Sequence, residues 1–312
     1  MTFSLTRRSA LFAGAALPLA AALGAGPARA AADIKGPSTP DHYRFKIGAF
    51  DVTALKAGSR ALENPQETYG LNVTPEDFAE ASQQAFIPAD RGQNFFTPSV
   101  VNTGNELVLF DAGLSADGTL AALTAAGYSA DQVDVVVLTH MHGDHINGLM
   151  SGDAPTYPNA RYVAGAVEND YWAGAGNDGY DKTVRPLLDK TTLIHDGDSV
   201  VSGITGMAAF GHSPGHMVYH VQSNGQRLVL TADLANHPVW SLARPDWEVR
   251  FDMDKAMAAE ARRKVLGMLA AERVPMLAYH FAFPPVGYVE ARGEGFHFVP
   301  MSYQLLLDPP AA

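Results

Sequence analysis

The chain has 312 residues, 47% hydrophobic and 18% charged, which is enough apolar content to bury a substantial core in one large domain or two small ones. It contains no cysteine, so disulfides and thiolate metal ligands are both excluded. The formal net charge is −11, and removal of residues 1–30 would take away three arginines and no acids to leave −14, a surface that repels nucleic acid and anionic membranes and suits a neutral or cationic small molecule.

The N-terminus reads as an export signal. Thr6-Arg7-Arg8-Ser9 precedes the apolar stretch Ala10–Gly24, and Ala28-Arg29-Ala30 is a small-residue cleavage site. The arginine pair resembles the twin-arginine type, with Ala10 where a Phe is usual. An apolar core of about fifteen residues is too short to span a bilayer, so cleavage is expected, with no membrane anchor afterwards and a periplasmic or secreted product. Residues 31–312 are then expected to form a single domain.

From Tyr43 to Leu55 the alternation predicts two strands turning at Gly48. A polar stretch, 56–97, reads as irregular apart from one helix: Thr74 as N-cap and Pro75 at the first helical position start a helix running to about Ala85. Strands follow near Ser99–Asn102 and Glu106–Phe110, a helix near Thr119–Ala126, and the strand Val135–Leu138. Val167–Trp172 reads as helical, and the Gly/Asn/Asp-rich stretch Ala173–Gly179 as a mobile loop. The second half predicts strands near Thr191–His195, Gly206–Phe210, Met217–Gln222 and Arg227–Thr231, a helix from about Met253 to Ala271, and a short strand Met276–Ala278. Two βαβ-like halves of this kind predict an α/β protein of four layers, two sheets face to face with helices outside.

The chemistry is concentrated in Thr139-His140-Met141-His142-Gly143-Asp144-His145, directly after a buried strand. Imidazole nitrogens and carboxylate oxygens are the ligands that a borderline cation such as Zn²⁺ takes. Two histidines one residue apart can converge on one ion, leaving Asp144 and His145 to face a second. Three further polar positions each end an apolar strand: His212 in Gly211-His212-Ser213-Pro214-Gly215-His216, Asp233 in Ala232-Asp233, and His280 in Tyr279-His280.

Together with Asp111-Ala112-Gly113, these runs resemble the metallo-β-lactamase fold family, a four-layer αββα sandwich. The resemblance implies that His140, His142 and His212 hold one Zn²⁺, that Asp144, His145 and His280 hold another, and that Asp233 bridges them, although other divalent metals suit the same ligands. Two such ions sharing a water bring its pKa towards neutrality and leave a metal-bound hydroxide as nucleophile. Asp144 is the expected proton shuttle, and Asp233 the second catalytic carboxylate. Asp111 and His216 are expected behind the ligands, orienting them by hydrogen bonds.

Within the family, residues 43–303 are most similar to the methyl parathion hydrolase and lactonase group, through Val101-Asn102-Thr103-Gly104, His280-Phe281-Ala282-Phe283-Pro284 and Ala291-Arg292-Gly293-Glu294-Gly295. Where lactonases of this fold often carry a Tyr three places past the bridging Asp, this chain has Asn236, followed by His237. Trp172, Tyr180, His237, Phe281 and Phe283 are the expected pocket residues. The resemblance also implies a homodimer with contacts from 56–97. The expected function is a dinuclear zinc hydrolase acting on a neutral ester-type bond, in a lactone, an aryl ester or, as a side activity, a phosphotriester. The alternatives are a mononuclear iron dioxygenase of the same fold, distinguished by one iron and oxygen consumption, and a metal-stabilised binding protein without turnover.

Overall fold

A computed structural model describes residues 33–307; the export signal expected over residues 1–30 lies outside them. Among the described residues, those from Thr39 onward form one compact unit. No helix among the described residues is long and apolar enough to cross a membrane.

The opening hairpin pairs β1 (His42–Ile47) with β2 (Phe50–Leu55) and turns at Gly48, as the alternation predicts. Gly48 has φ 59°, and a Cβ there would fall 2.1 Å from the carbonyl oxygen of Ser223, so the turn requires glycine. The polar stretch that follows is not irregular. It contains the antiparallel pair β3 (Gly58–Glu63) and β4 (Arg91–Phe96) as well as the expected helix α1 (Pro75–Gln84), capped by the Thr74 hydroxyl. Local patterning could not reveal the two strands, because β3 is mostly exposed and its partner lies nearly thirty residues away, with no tight turn between them.

β5 (Ser99–Asn102), β6 (Leu107–Phe110), β7 (Val135–Leu138), β10 (Arg161–Gly165) and β11 (Thr191–Ile194) complete the first sheet, in the order β1-β2-β5-β6-β7-β10-β11. The pairs β6–β7, β7–β10 and β10–β11 are parallel, so helices must cross over between them. These include α2 (Ala116–Ala125), α4 (Ala166–Gly174) and α5 (Asp178–Thr183), with the single turn α3 (Gly143–Ile146) directly after β7. A small hairpin, β8 (Met150–Ser151) with β9 (Ala154–Pro155), lies between α3 and β10. α2 begins three residues earlier than predicted because Ser115 caps it. The mobile loop expected over Ala173–Gly179 is instead the end of α4 and the capped start of α5. Its Asn177 side chain accepts from the Tyr180 amide at 3.0 Å, which supplies the order that composition alone concealed.

The second sheet runs β12 (Ser199–Val201), β13 (Ile204–Ala208), β14 (Met217–Ser223), β15 (Gln226–Ala232), β16 (Met276–Ala278), β17 (Val286–Arg292) and β18 (Gly295–Pro300). Its one parallel pair, β15–β16, encloses α6 (Lys255–Glu272). The sequence patterning does not predict β10, β12, β17 or β18. The inner faces of the two sheets share one apolar core that includes Val52, Phe110, Val137, Tyr219, Leu230 and Leu277. α2, α4 and α5 cover the outside of the first sheet through Leu123, Trp172 and Tyr180, and α6 covers the second through Val265, Leu266 and Leu269. The fold is therefore the expected four-layer αββα sandwich. β7 is an unbroken apolar run because both its faces are covered.

Candidate metal centre

All the predicted ligands lie at or just beyond strand ends on the same side of the sandwich. β6 delivers Asp111 and β7 leads into His140 and His142, with Asp144 and His145 in the first turn of α3. His212 lies in the loop between β13 and β14, Asp233 follows β15, and His280 follows β16. The chain bends sharply at two of these ends: Asp111 has φ 61° and Ala232 φ 44°, left-handed conformations that cost a non-glycine residue free energy and recur at functional sites.

Three groups of side chains come together. The ligand atoms of His140, His142 and His212 lie within 4.8 Å of one another, as do those of Asp144, His145 and His280, and those of His140, His145 and Asp233. In the first trio His140 Nε2 is 3.1 Å from His142 Nδ1, which is 3.0 Å from His212 Nε2. Asp233 faces both trios. Its Oδ1 is 3.2 Å from His145 Nε2, and its Oδ2 is 3.0 Å from His280 Nε2 and 3.3 Å from His212 Nε2.

The hydrogen bonds behind these residues fix which ring nitrogen faces inward. His145 Nδ1 donates to Asp111 Oδ2 at 2.8 Å, His212 Nδ1 to Asp252 Oδ1 at 2.9 Å, and His280 Nδ1 to the carbonyl of Phe95 at 2.9 Å. His140 Nδ1 is 3.1 Å from the Thr139 hydroxyl, which itself donates to Asp111. Each of the four rings thus turns Nε2 towards the centre, and a neutral ring in this tautomer presents a bare lone pair there. His145 Nε2 and Asp233 Oδ1 are buried, face each other and have no hydrogen-bond partner. Lone pair against carboxylate is repulsive unless a proton or a metal cation lies between them, so the donor set fits divalent metal ions that displace protons.

The electrostatics point the same way. Burial opposes charge on His280, but the Asp233 and Asp144 carboxylates outweigh it and raise the imidazole to about 10. Against the same burial, Asp233 and Asp252 raise His212 to about 9. Burial and the neighbouring His212 bring His142 down to about 3, and burial with His145 and His142 keeps His140 far below its ordinary value. Asp144 falls to about 2, since His145 and His280 overcome its desolvation. Acid competition for such a site is therefore strong, and a cation replaces protons there.

The supporting residues are mostly ones that sequence reasoning missed. Asp252, behind His212, is itself held by the fully buried Arg262 through Nη1 at 2.7 Å. Tyr279 stacks on His145 with ring centroids 4.0 Å apart and donates its hydroxyl to the Asp144 carbonyl at 2.6 Å. No local pattern could have announced Asp252 or Arg262, whose partners are 40 and 10 residues away. Asp111 lies directly behind His145 and, through the Thr139 hydroxyl, behind His140. His216 accepts the Asp233 amide through Nε2 at 3.2 Å, while its Nδ1 bonds the Ala209 carbonyl, so both nitrogens are used away from the ligand cluster. Asn236 donates to Asp233 Oδ2 at 2.8 Å and so steadies the carboxylate shared by the two trios.

The pocket expectations fare differently. Trp172 meets His142 edge-on, ring centroids 5.9 Å apart, and so adjoins the centre. Tyr180, expected in the pocket wall, is fully buried between helix and sheet with its hydroxyl on Asn169. Phe281 packs edge-on against Phe298 beneath α6, and Phe283 belongs to the core between the sheets. These three aromatics are core residues: α5 turns Tyr180 onto the first sheet, and the segment after β16 turns Phe281 and Phe283 inward. His237 stacks on Trp240 at 3.9 Å, and its Nδ1 accepts the amides of Val239 and Trp240, capping the short π-helical turn Pro238–Leu242. Burial lowers it to about 3, so the ring stays neutral.

A family model described as the metallo-beta-lactamase superfamily matches residues 97–276, more than half of the chain. The probable metallo-hydrolase YybB of Bacillus subtilis (strain 168) is 29% identical over 143 residues, 43% of this chain and 59% of that protein; the chain thus spans less than two thirds of this relative's length. Among solved structures, AidC, a dizinc quorum-quenching lactonase in complex with a product, superposes with a TM-score of 0.77 at 23% identity, covering 84% of this chain and 98% of that one. The hydrolase AbOPH superposes with a TM-score of 0.78 at 23% identity, covering 86% and 100%. At such identities the likeness is one of fold.

Proposed function

The chain belongs to the metallo-beta-lactamase superfamily, and we propose on that premise that it is a dinuclear zinc hydrolase opening a neutral ester-type bond, in a lactone or an aryl ester, with phosphotriesters as a secondary substrate class. The observation that carries this reading is Asp233, whose two oxygens face His212 of one ligand trio and His145 and His280 of the other. A carboxylate so placed would let the two trios hold one cation each. Bound there, a pair of divalent ions supplies a water-derived nucleophile at neutral pH and Lewis-acid polarisation of a carbonyl or phosphoryl oxygen.

The remaining steps belong to the chain's own residues. Asp144 is the most open of the carboxylates at the centre, with its side chain 24% exposed, and is ionised at neutral pH. Its carboxylate takes the proton from the attacking water and returns it to the leaving oxygen. Tyr279, bonded to the Asp144 main-chain carbonyl, holds the backbone that carries this carboxylate, and Trp172 walls the approach beside His142. A neutral substrate suits the negative net charge, and the twin-arginine-like leader favours a site of action outside the cytoplasm.

The test is metal analysis of the purified protein combined with a hydrolase screen on the zinc-loaded form. About two zinc per chain, with turnover of lactones or aryl esters, is expected. A fully loaded protein inert across lactones, aryl esters and phosphotriesters overturns the hydrolase reading. One iron per chain with oxygen uptake would replace it with the dioxygenase.

A further inference from the structure

We infer that Glu168 is a positioning residue that sets the geometry of one ion position, the His140/His142/His212 trio, and leaves the other alone. The inference rests on the two-ion reading above. Glu168 lies in the first turn of α4 and is 1% exposed, an unusual place for a carboxylate unless every lone pair has a use. Its Oε1 accepts the Met141 amide at 2.9 Å and the Trp172 indole N–H at 2.7 Å. Its Oε2 accepts the Ser213 hydroxyl and the Gly215 amide, both at 2.7 Å.

The donors identify what is being held. Met141 sits between His140 and His142, and Ser213 directly follows His212, so one carboxylate clamps the two loops that bring all three histidines of this trio together. Trp172, on the same oxygen as Met141, lies edge-on to His142. A second, independent feature keeps the clamp closed: a Cβ at position 215 would fall 2.1 Å from the Glu168 amide nitrogen, so glycine there lets the loop lie flat on α4. The other trio is fixed by different groups. Asp111 orients His145, the Phe95 carbonyl orients His280, and the Tyr279 hydroxyl holds the backbone of Asp144.

Glu168→Gln keeps the shape and replaces one acceptor oxygen by an NH₂ group. The new NH₂ then opposes either the Met141 and Trp172 N–H groups or the Gly215 N–H, the Ser213 hydroxyl being able to turn and accept, so at least one N–H loses its acceptor and the common anchor of the two loops is weakened. The expected result is a loss of affinity of about 10–100-fold at one ion, the range for a group behind a ligand, with the other ion within about threefold of the parent. Co²⁺ reads this directly: titrate the metal-free parent and variant with Co²⁺, follow the visible absorption, and determine each affinity by chelator competition.

Selective weakening of one ion supports the inference. Equal weakening of both ions, or of neither, overturns it. Should Glu168→Gln fail to fold, Ser213→Ala removes a single donor and decides the question, with a smaller loss of up to about tenfold at the same ion expected and an equal loss at both ions contradicting the role. A parent chain that takes up only one Co²⁺ contradicts the two-ion reading instead. The affinity of that single ion must then fall in Glu168→Gln, and an unchanged value removes Glu168 from the centre.

Discussion

The two sheets furnish the centre in different ways. The first contributes His140, His142, Asp144 and His145 within six consecutive residues after β7, buttressed by Asp111 from the neighbouring strand. The second contributes His212, Asp233 and His280 from three separate strand ends, each with its own distant support: Asp252 and Arg262 behind His212, Asn236 and His216 at Asp233, and the Phe95 carbonyl behind His280. Chain connectivity alone brings the side chains of the compact run close together, and Asp111 and Glu168 fix them from behind. Scattered ligands converge only when the tertiary structure holds each one, so the second half should be the more sensitive to changes away from the ligands themselves.

The largest effect is expected at Asp233, the point where the two halves meet. Asp233→Ala should remove most hydrolytic activity, more than about a hundredfold, and lower metal content, because on the two-ion proposal both ions would lose their shared carboxylate. Kinetics and metal analysis on the same preparation check both; a variant that keeps two tightly bound ions and normal turnover takes Asp233 out of the centre. Arg262→Met, remote from any ion, comes next. It leaves Asp252 buried without its cation, a loss of about 3–5 kcal/mol by denaturant unfolding. A loss below about 1 kcal/mol would show that the scattered half is not held as its hydrogen bonds suggest.

The pH dependence separates metal-free from loaded protein. His212 at about 9 and His280 at about 10 both lie above the unfolded value near 6.5. In the metal-free protein their contribution to stability is therefore fully present below pH about 6.5 and lost as pH rises through about 9 to 10. The loaded protein, whose imidazole nitrogens are occupied, should lack this decline. Metal affinity should rise over the same window as protons are displaced. Thermal melts of both forms from pH 6 to 10 read the difference, and parallel curves contradict it.

The smallest effect belongs to His237. Its Nδ1 caps a turn, so His237→Ala should cost about 1 kcal/mol of stability with bound metal unchanged. A large fall in turnover at constant metal content would instead put its free Nε2 on the substrate.

The same contrast explains what could be read in advance. The His-x-His-x-Asp-His run, the hairpin at Gly48 and the Thr74 cap are local devices, and each appears in the structure where the sequence put it. The seven metal-binding candidates come together because each follows an apolar strand, a signal carried by its neighbours. What stayed hidden is non-local. β3 and β4 recognise each other across the intervening helix, Arg262 finds Asp252 only once α6 has docked, and Glu168 looks like any acid at a helix start until the loops arrive. The surroundings of Tyr180, Phe281 and Phe283 were hidden for a related reason: composition says that a ring will be buried, and only the docking of α5 and the path of the chain after β16 say against what.

One of these supports differs in kind from the rest. The proton on His280 Nδ1 goes to the main chain of β4, at the carbonyl of Phe95, whereas the proton on His212 Nδ1 goes to a side chain. A single codon change at 252 abolishes the acceptor for His212, while none of the nineteen possible replacements at 95 deletes a carbonyl. A side-chain change at position 95 therefore leaves the acceptor for His280 in place, and drift reaches that histidine only by moving the strand β4. His212 has no such insurance, and position 252 should be correspondingly intolerant in any library of variants screened for bound metal.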